Sequence, residues 1–319
     1  MLDARRNAGY LGRSLVCWLP ESGKGKGWNP FQGWMGRRAL CPGRPPACGR
    51  ARWNQMTKSR VLKKLRAGDF VRVACINRVT DPWLAEVAGK LDFDVVWFDM
   101  EHRPFEYNSI NHLSLACRAT QIDLMVRIRK TGYTSVMRAL EFGGNGIMIP
   151  HCRSVDEARE WVELTRFPPL GRRGYDSAGS DGEYSLGDPL EHLRQANEET
   201  FLTVQIEDRE AVDCVEGIAA MEGVDILFVG PADLSISYGV PMQFDYPTVQ
   251  RAIDRVADAA AKAGKWWGTV TDTPEAAQKA LDRGARMVTC FNDHFALVHG
   301  LQKARRDFEA IAISQGPMK

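Results

Sequence analysis

Eight short apolar runs, separated by helical patterns, constrain this chain more than any other feature. They are Phe70 to Ile76, Val95 to Phe98, Leu124 to Ile128, Gly146 to Ile149, Phe201 to Ile206, Ile226 to Val229, Trp267 to Val270 and Met287 to Cys290. Each is too short for a helix and too apolar for a loop, which is the pattern of parallel strands covered on both faces. Helices read between them over Asp81 to Leu91, Ser154 to Phe167, Tyr246 to Ala263 and Thr273 to Asp282, two of them opening on a cap and a proline (Asp81-Pro82, Thr273-Pro274). Eightfold alternation predicts a closed (β/α)8 barrel of the TIM type. A doubly wound sheet would want a glycine-rich phosphate loop after an early strand, and the sequence has none.

Such a barrel keeps its chemistry on the rim at the C-terminal ends of its strands. Polar residues stand at that place in four of the runs: Asp99, Glu101 and His102; Arg127; Gln205 and Glu207; and Gly230-Pro231-Ala232-Asp233. Gln205 and Glu207 share strand parity and are expected to point inward together. Two hard carboxylates on one rim, Glu207 and Asp233, suit Mg²⁺ or Mn²⁺ with waters completing the shell, and Co²⁺ is admissible. Zinc would want more nitrogen than His102 offers. Asp99 beside His102 predicts a tautomer-fixing pair fit for proton transfer. Arg127, in a buried strand, requires a carboxylate partner or an anionic substrate. The amides of the Gly230 to Asp233 turn can meet a substrate carboxylate.

Composition excludes several classes. The net charge of +2 hides a basic segment, since residues 1–55 hold ten Lys and Arg against Asp3 and Glu21, leaving 32 basic and 38 acidic residues, net −6, for the rest. A mildly acidic body gives no case for nucleic-acid binding. No apolar run approaches the roughly 18 residues of a membrane span. Eight cysteines without a Cys-x-x-Cys pair read as free thiols of a reducing cytoplasm, with Cys75, Cys117, Cys214 and Cys290 expected in buried settings. Residues 1–55, rich in Gly, Pro and Arg and without period, are expected to be a disordered extension or a translated leader ahead of a start at Met56; residues 56–319 form the barrel. The longest irregular stretch, Pro168 to Pro189, is expected to be an active-site lid or a subunit contact. As a lid, its acids Asp176, Asp181 and Glu183 would disfavour an aldehyde carrying a second negative charge.

Taken together, Asp99-x-Glu101-His102, Val126-Arg127, Gly146 to Pro150, Pro168-Pro169-x-Gly171-x-Arg173-Gly174, Gln205-x-Glu207 and Gly230-Pro231-Ala232-Asp233-Leu234-Ser235 resemble the HpcH/HpaI aldolase family of metal-dependent class II pyruvate aldolases, over about Met56 to Phe308. The resemblance implies a barrel with a swapped C-terminal helix, commonly a hexamer, and reversible cleavage of a 4-hydroxy-2-oxo acid to pyruvate and an aldehyde. It places the metal on Glu207 and Asp233, the keto oxygen on Arg127, and acid and base steps on Asp99 and His102. Met100 where the family usually has Gly, the acidic stretch Tyr175 to Tyr184, and Phe291-Asn292-Asp293 depart from the pattern and bear on the aldehyde pocket. Oxaloacetate decarboxylation and CoA-thioester cleavage would use the same enolate chemistry, and a catalytically silent binding barrel is the alternative from another class. A Schiff-base mechanism would need Lys130, whose parity is opposite to that of Arg127.

Overall fold

The computed structural model describes residues 58–309 and 311; the expectations for residues 1–55 and for a start at Met56 lie outside them. In chain order the elements are α1 (Arg60–Arg66), β1 (Val71–Ile76), α2 (Pro82–Lys90), β2 (Val95–Asp99), α3 (Tyr107–Thr120), β3 (Asp123–Arg127), α4 (Tyr133–Glu141), β4 (Gly146–Ile149), α5 (Val155–Thr165), α6 (Pro189–Glu199), β5 (Phe201–Ile206), α7 (Arg209–Asp213), α8 (Val215–Ala219), β6 (Ile226–Val229), α9 (Pro231–Ser237), α10 (Pro247–Ala263), β7 (Trp266–Thr269), α11 (Pro274–Asp282), β8 (Met287–Asn292) and α12 (Asp293–Glu309). All eight strands pair in parallel with their sequence neighbours, and β8 closes on β1. The expected runs are all strands, with ends shifted by at most two residues. Capping sets the helix starts, as expected: Asp81, Ser154 and Thr273 accept backbone N–H bonds from Trp83, Glu157 and Ala276.

Strand alternation divides the core in two. Ala74 is too small to matter much, but Ile76, Val96, Phe98, Leu124, Val126, Val204 and Val229 face the helical layer. Their neighbours Val71, Val73, Cys75, Val95, Trp97, Met125, Met148, Phe201, Phe228 and Met287 fill the interior with Val61, Leu62 and Leu65 of α1. The short helix α1 therefore plugs one mouth. It is tied there by buried Asp123, which accepts from Ser59 Oγ (2.5 Å) and from the Val61 amide (2.9 Å), and by Asp94, which pairs with Arg60 (2.8 Å) and Lys64 (2.9 Å). Parity then dictates the other mouth. Asp99 follows Trp97, Arg127 follows Met125, and Gln205 follows Thr203 and Phe201, so each extends the inward row of its strand by one step. Trp97 and Phe228 meet edge to face at 5.5 Å beneath the Arg127 guanidinium, which lies 5.1 Å above the Trp97 ring.

One part of the shell departs from expectation. Cys75 and Cys117 are buried, but Cys214 is half-buried and Cys290 is exposed. The reason at Cys290 is a bulge: Val73 pairs with Thr289 and Ala74 with Phe291, so Cys290 is the extra residue pushed out of register. The 17-residue α12 buries only Asp293 and leaves Phe295, Leu297, Leu301 and Phe308 exposed. Among the described residues no helix is long and apolar enough to cross a membrane.

Candidate active site

Asp99 and Arg127 are direct partners in the β2–β3 register. Their side chains accordingly form a two-pronged pair, Nε to Oδ1 at 2.9 Å and Nη2 to Oδ2 at 2.8 Å, with Asp99 1 % exposed. Burial alone would raise the Asp99 carboxyl; the Arg127 hydrogen bonds and charge, with the amides of His102 and Glu101, outweigh it and hold it below the usual carboxylate range. The remaining Arg127 nitrogen, Nη1, reaches Glu101 Oε2 at 3.2 Å and Gln205 Oε1 at 3.5 Å. Gln205 passes the chain on, donating from Nε2 to Glu207 Oε2 at 2.9 Å, so the expected inward pair of β5 is present.

Glu207 is fully buried. Burial, with the charge of Asp233 adding to it, pushes its carboxyl up to about 7 against the opposing His151 and Arg127. Gly230 is required beside it, since a Cβ there would stand 2.3 Å from Glu207 Oε2. Asp233 lies half-buried in the first turn of α9, three residues beyond that glycine. The two carboxylates thus converge from β5 and β6. Among the described residues no group of three or more His, Cys, Asp and Glu side chains is arranged as a metal cage.

The expected Asp99–His102 ring contact is not made. Asp99 Oδ1 accepts the backbone amides of Glu101 (3.0 Å) and His102 (3.4 Å), and Arg127 takes the rest of its capacity. The His102 ring is half exposed, and its Nε2 faces Glu101 Oε2 at 3.5 Å. An Asp–His pair does exist, made by residues that sequence reading passed over: His151 Nδ1 lies 2.9 Å from Asp208 Oδ2. Burial lowers the basicity of this ring, but Asp208, Glu207 and Glu101 together raise it above the ordinary histidine value. His151 directly follows Pro150 at the end of β4, the same kind of position as the residues singled out after β2, β3, β5 and β6. That placement was the available signal.

Lys130 is committed elsewhere, to Glu157 and to the His151 carbonyl (2.8 Å), in keeping with its outward parity. The acids of the 168–189 segment are also spoken for. Asp181 pairs with Arg173, a buried residue, Glu183 with Arg118 of α3 (3.4 Å), and Asp176 caps the Ala178 amide (2.9 Å). Gly179 and Ser180 pack against the end of α4, where a Cβ on Gly179 would stand 2.5 Å from the Glu141 carbonyl. These bonds hold Asp181 and Glu183 beside α3 and α4, while Asp176 is bonded within the segment itself. Asp293 is likewise no pocket acid: buried, it accepts the amides of Asn77, Arg78 and Val79, each at 2.8 Å, and anchors the β1–α2 loop.

A sequence profile described as HpcH/HpaI aldolase/citrate lyase matches residues 73–300. The chain belongs to this family. It is 30 % identical over 258 residues to a 2-keto-3-deoxy-L-rhamnonate aldolase of Salmonella gallinarum, covering 81 % of this chain and 96 % of the relative. It is 30 % identical over 248 residues to a 5-keto-4-deoxy-D-glucarate aldolase of Shigella boydii, covering 78 % and 96 %. Among solved structures, an HpcH/HpaI aldolase from Desulfitobacterium hafniense superposes with a TM-score of 0.74 at 30 % identity, over 81 % of this chain and 99 % of that one. As a member of the HpcH/HpaI family the protein is an enzyme, a carbon–carbon lyase.

Proposed function

We propose that the protein catalyses reversible aldol cleavage of a 4-hydroxy-2-oxo acid to pyruvate and an aldehyde. The observation that carries this reading is the convergence of Arg127, Gln205, Glu207 and Asp233 at the C-terminal ends of β3, β5 and β6. Mg²⁺ or Mn²⁺, with Co²⁺ admitted, would be held by Glu207 and Asp233 and would supply positive charge to the carboxylate and keto oxygens of the oxo acid. The donor set fits such an ion: both ligands are hard oxygens, and a buried carboxylate with a second one beside it wants a cation.

Cleavage removes the proton of the C4 hydroxyl, breaks the C3–C4 bond and moves that electron pair to the C2 oxygen as an enolate; reprotonation at C3 gives pyruvate. Arg127, already fixed by Asp99, is aimed where the enolate charge develops. Asp99 acts by holding Arg127 and, through the amides it accepts, the turn that carries His102. His102, partly open to solvent, takes the hydroxyl proton and supplies one for C3. The amides of Ala232 and Asp233 following Gly230 have no acceptor within their own helix and are available to the substrate carboxylate. Decarboxylase and thioester-lyase reactions would draw on the same enolate, and product analysis separates them. The deciding experiment is a pyruvate-release screen over 4-hydroxy-2-oxo acids with and without EDTA; no pyruvate from any of them in Mg²⁺ or Mn²⁺ would reject the reading.

His102→Ala should lower kcat by roughly two to four orders of magnitude, the range for loss of a positioned acid or base. The KM for the oxo acid should change little. A rate within a few-fold of wild type would transfer the proton step to another group. The exposed apolar side chains of α12 and the family resemblance support a homo-oligomer, a hexamer, assembled through that helix in the cytoplasm. Light scattering at micromolar concentration should give a multiple of the 35.7 kDa chain mass, and a monomer would contradict it.

A further inference from the structure

His151 has no part in the reaction as set out above, yet its surroundings are those of a constrained residue. Its φ of +45° lies in the left-handed region, which few non-glycine residues adopt, asparagine, aspartate and histidine more often than the rest. Four contacts hold it there. Its amide donates to Glu207 Oε1 (2.9 Å), its carbonyl accepts from Lys130 (2.8 Å), its Nδ1 meets Asp208 Oδ2 (2.9 Å), and its Nε2 faces Glu101 Oε1 (3.8 Å). Asp208 is fixed in turn through its other oxygen by Arg153 (3.0 Å). One residue at the end of β4 therefore reaches the β5 end with both backbone and ring, and the β2 end with the far side of the ring.

We propose that His151 is a positioning residue: its ring, locked by Asp208, braces the Glu101 and Glu207 carboxylates across the mouth of the barrel, and so sets the charge arrangement that receives the divalent cation and the oxo acid. This rests on the aldol-cleavage reading of the site. Glu101 matters because its other oxygen faces both Arg127 (3.2 Å) and His102 (3.5 Å), so a shift of Glu101 moves the two groups given the reaction's charge and proton. A merely stabilising histidine would not need a ring about one-third exposed at the rim, tied to Asp208 and facing both Glu207 (3.7 Å) and Glu101 (3.8 Å). Outer partners of this kind commonly alter metal affinity or activity by about 10- to 100-fold when removed.

Three variants test it. His151→Gly keeps the left-handed backbone available and removes only the ring; Asp208→Asn keeps the size of the partner and removes its charge; the third combines both. Each is compared with wild type by Mn²⁺ titration, by kcat and KM for cleavage, and by melting temperature. The expected result is Mn²⁺ binding weakened about 10- to 100-fold in His151→Gly, a similar loss in Asp208→Asn, melting temperatures within a few degrees of wild type, and a double variant no worse than the more affected single one. That non-additivity is the mark of two residues acting through one brace. Mn²⁺ affinity and kcat both within two-fold of wild type in His151→Gly would overturn the proposal, as would losses that multiply in the double variant. If wild type releases no pyruvate but binds Mn²⁺, the aldol reading fails while the titration still judges His151. If it does neither, there is no cation site to brace and the proposal falls.

Discussion

Arg127→Met is expected to reduce both turnover and stability, by separable routes. Turnover should fall by about 10²- to 10³-fold, the effect of losing one preorganised donor to a developing oxyanion. Stability should fall by about 3–5 kcal/mol, because removing one partner of a buried pair strands the other, here Asp99 at 1 % exposure. Adding Asp99→Asn to Arg127→Met replaces the stranded charge with a neutral amide and should recover much of the lost stability without restoring turnover. Arg127→Lys should fall between, since a single ammonium cannot pair both Asp99 oxygens and still reach Glu101 and Gln205. Urea unfolding and steady-state kinetics on the four proteins check this. A Met variant of wild-type stability, or one within tenfold of the wild-type rate, would contradict the role given to Arg127.

The partition of the core explains how much of this site was legible beforehand. Barrel strands are covered on both faces, so β4 and β6 appear in the sequence as unbroken apolar runs, and period-two alternation carries directly from Met125 to Arg127 and from Thr203 through Gln205 to Glu207. What the linear pattern does not encode is which neighbour a polar side chain chooses. Asp99 and His102 are three residues apart, but the β2–β3 register sets Arg127 directly beside Asp99, and a fork of two charged hydrogen bonds wins over a single contact with the His102 ring. The pairing expected of Asp99 and His102 is instead made by Asp208 and His151, 57 residues apart. A similar long-range choice placed the 168–189 segment: Arg173 is buried and takes Asp181 with it, and Glu183 follows to Arg118, so the glycine-rich stretch packs on α3 and α4. Loop composition alone carries no information about that docking surface.

Glu207→Gln and Asp233→Asn should each bring divalent-cation-dependent turnover to background while leaving the fold intact. Two protein carboxylates are assigned to the ion, and Mg²⁺ gives up its waters reluctantly, so removal of either charge leaves too little to compete with hydration. The glutamine keeps the shape that Gly230 accommodates and can still face Gln205. In metal-free buffer Glu207→Gln should be at least as stable as wild type, because a buried carboxylate beside Asp233 is a cost that the amide does not carry. Mn²⁺ reverses that order. At a hundred times its dissociation constant a ligand stabilises the folded state by about 2.7 kcal/mol, so wild type should show a clear rise in melting temperature on Mn²⁺ addition and both variants should show none. A variant that retains the Mn²⁺-dependent rise would remove that carboxylate from the ligand set. Retention by both would place the cation, and the oxo acid with it, away from the β5 and β6 ends.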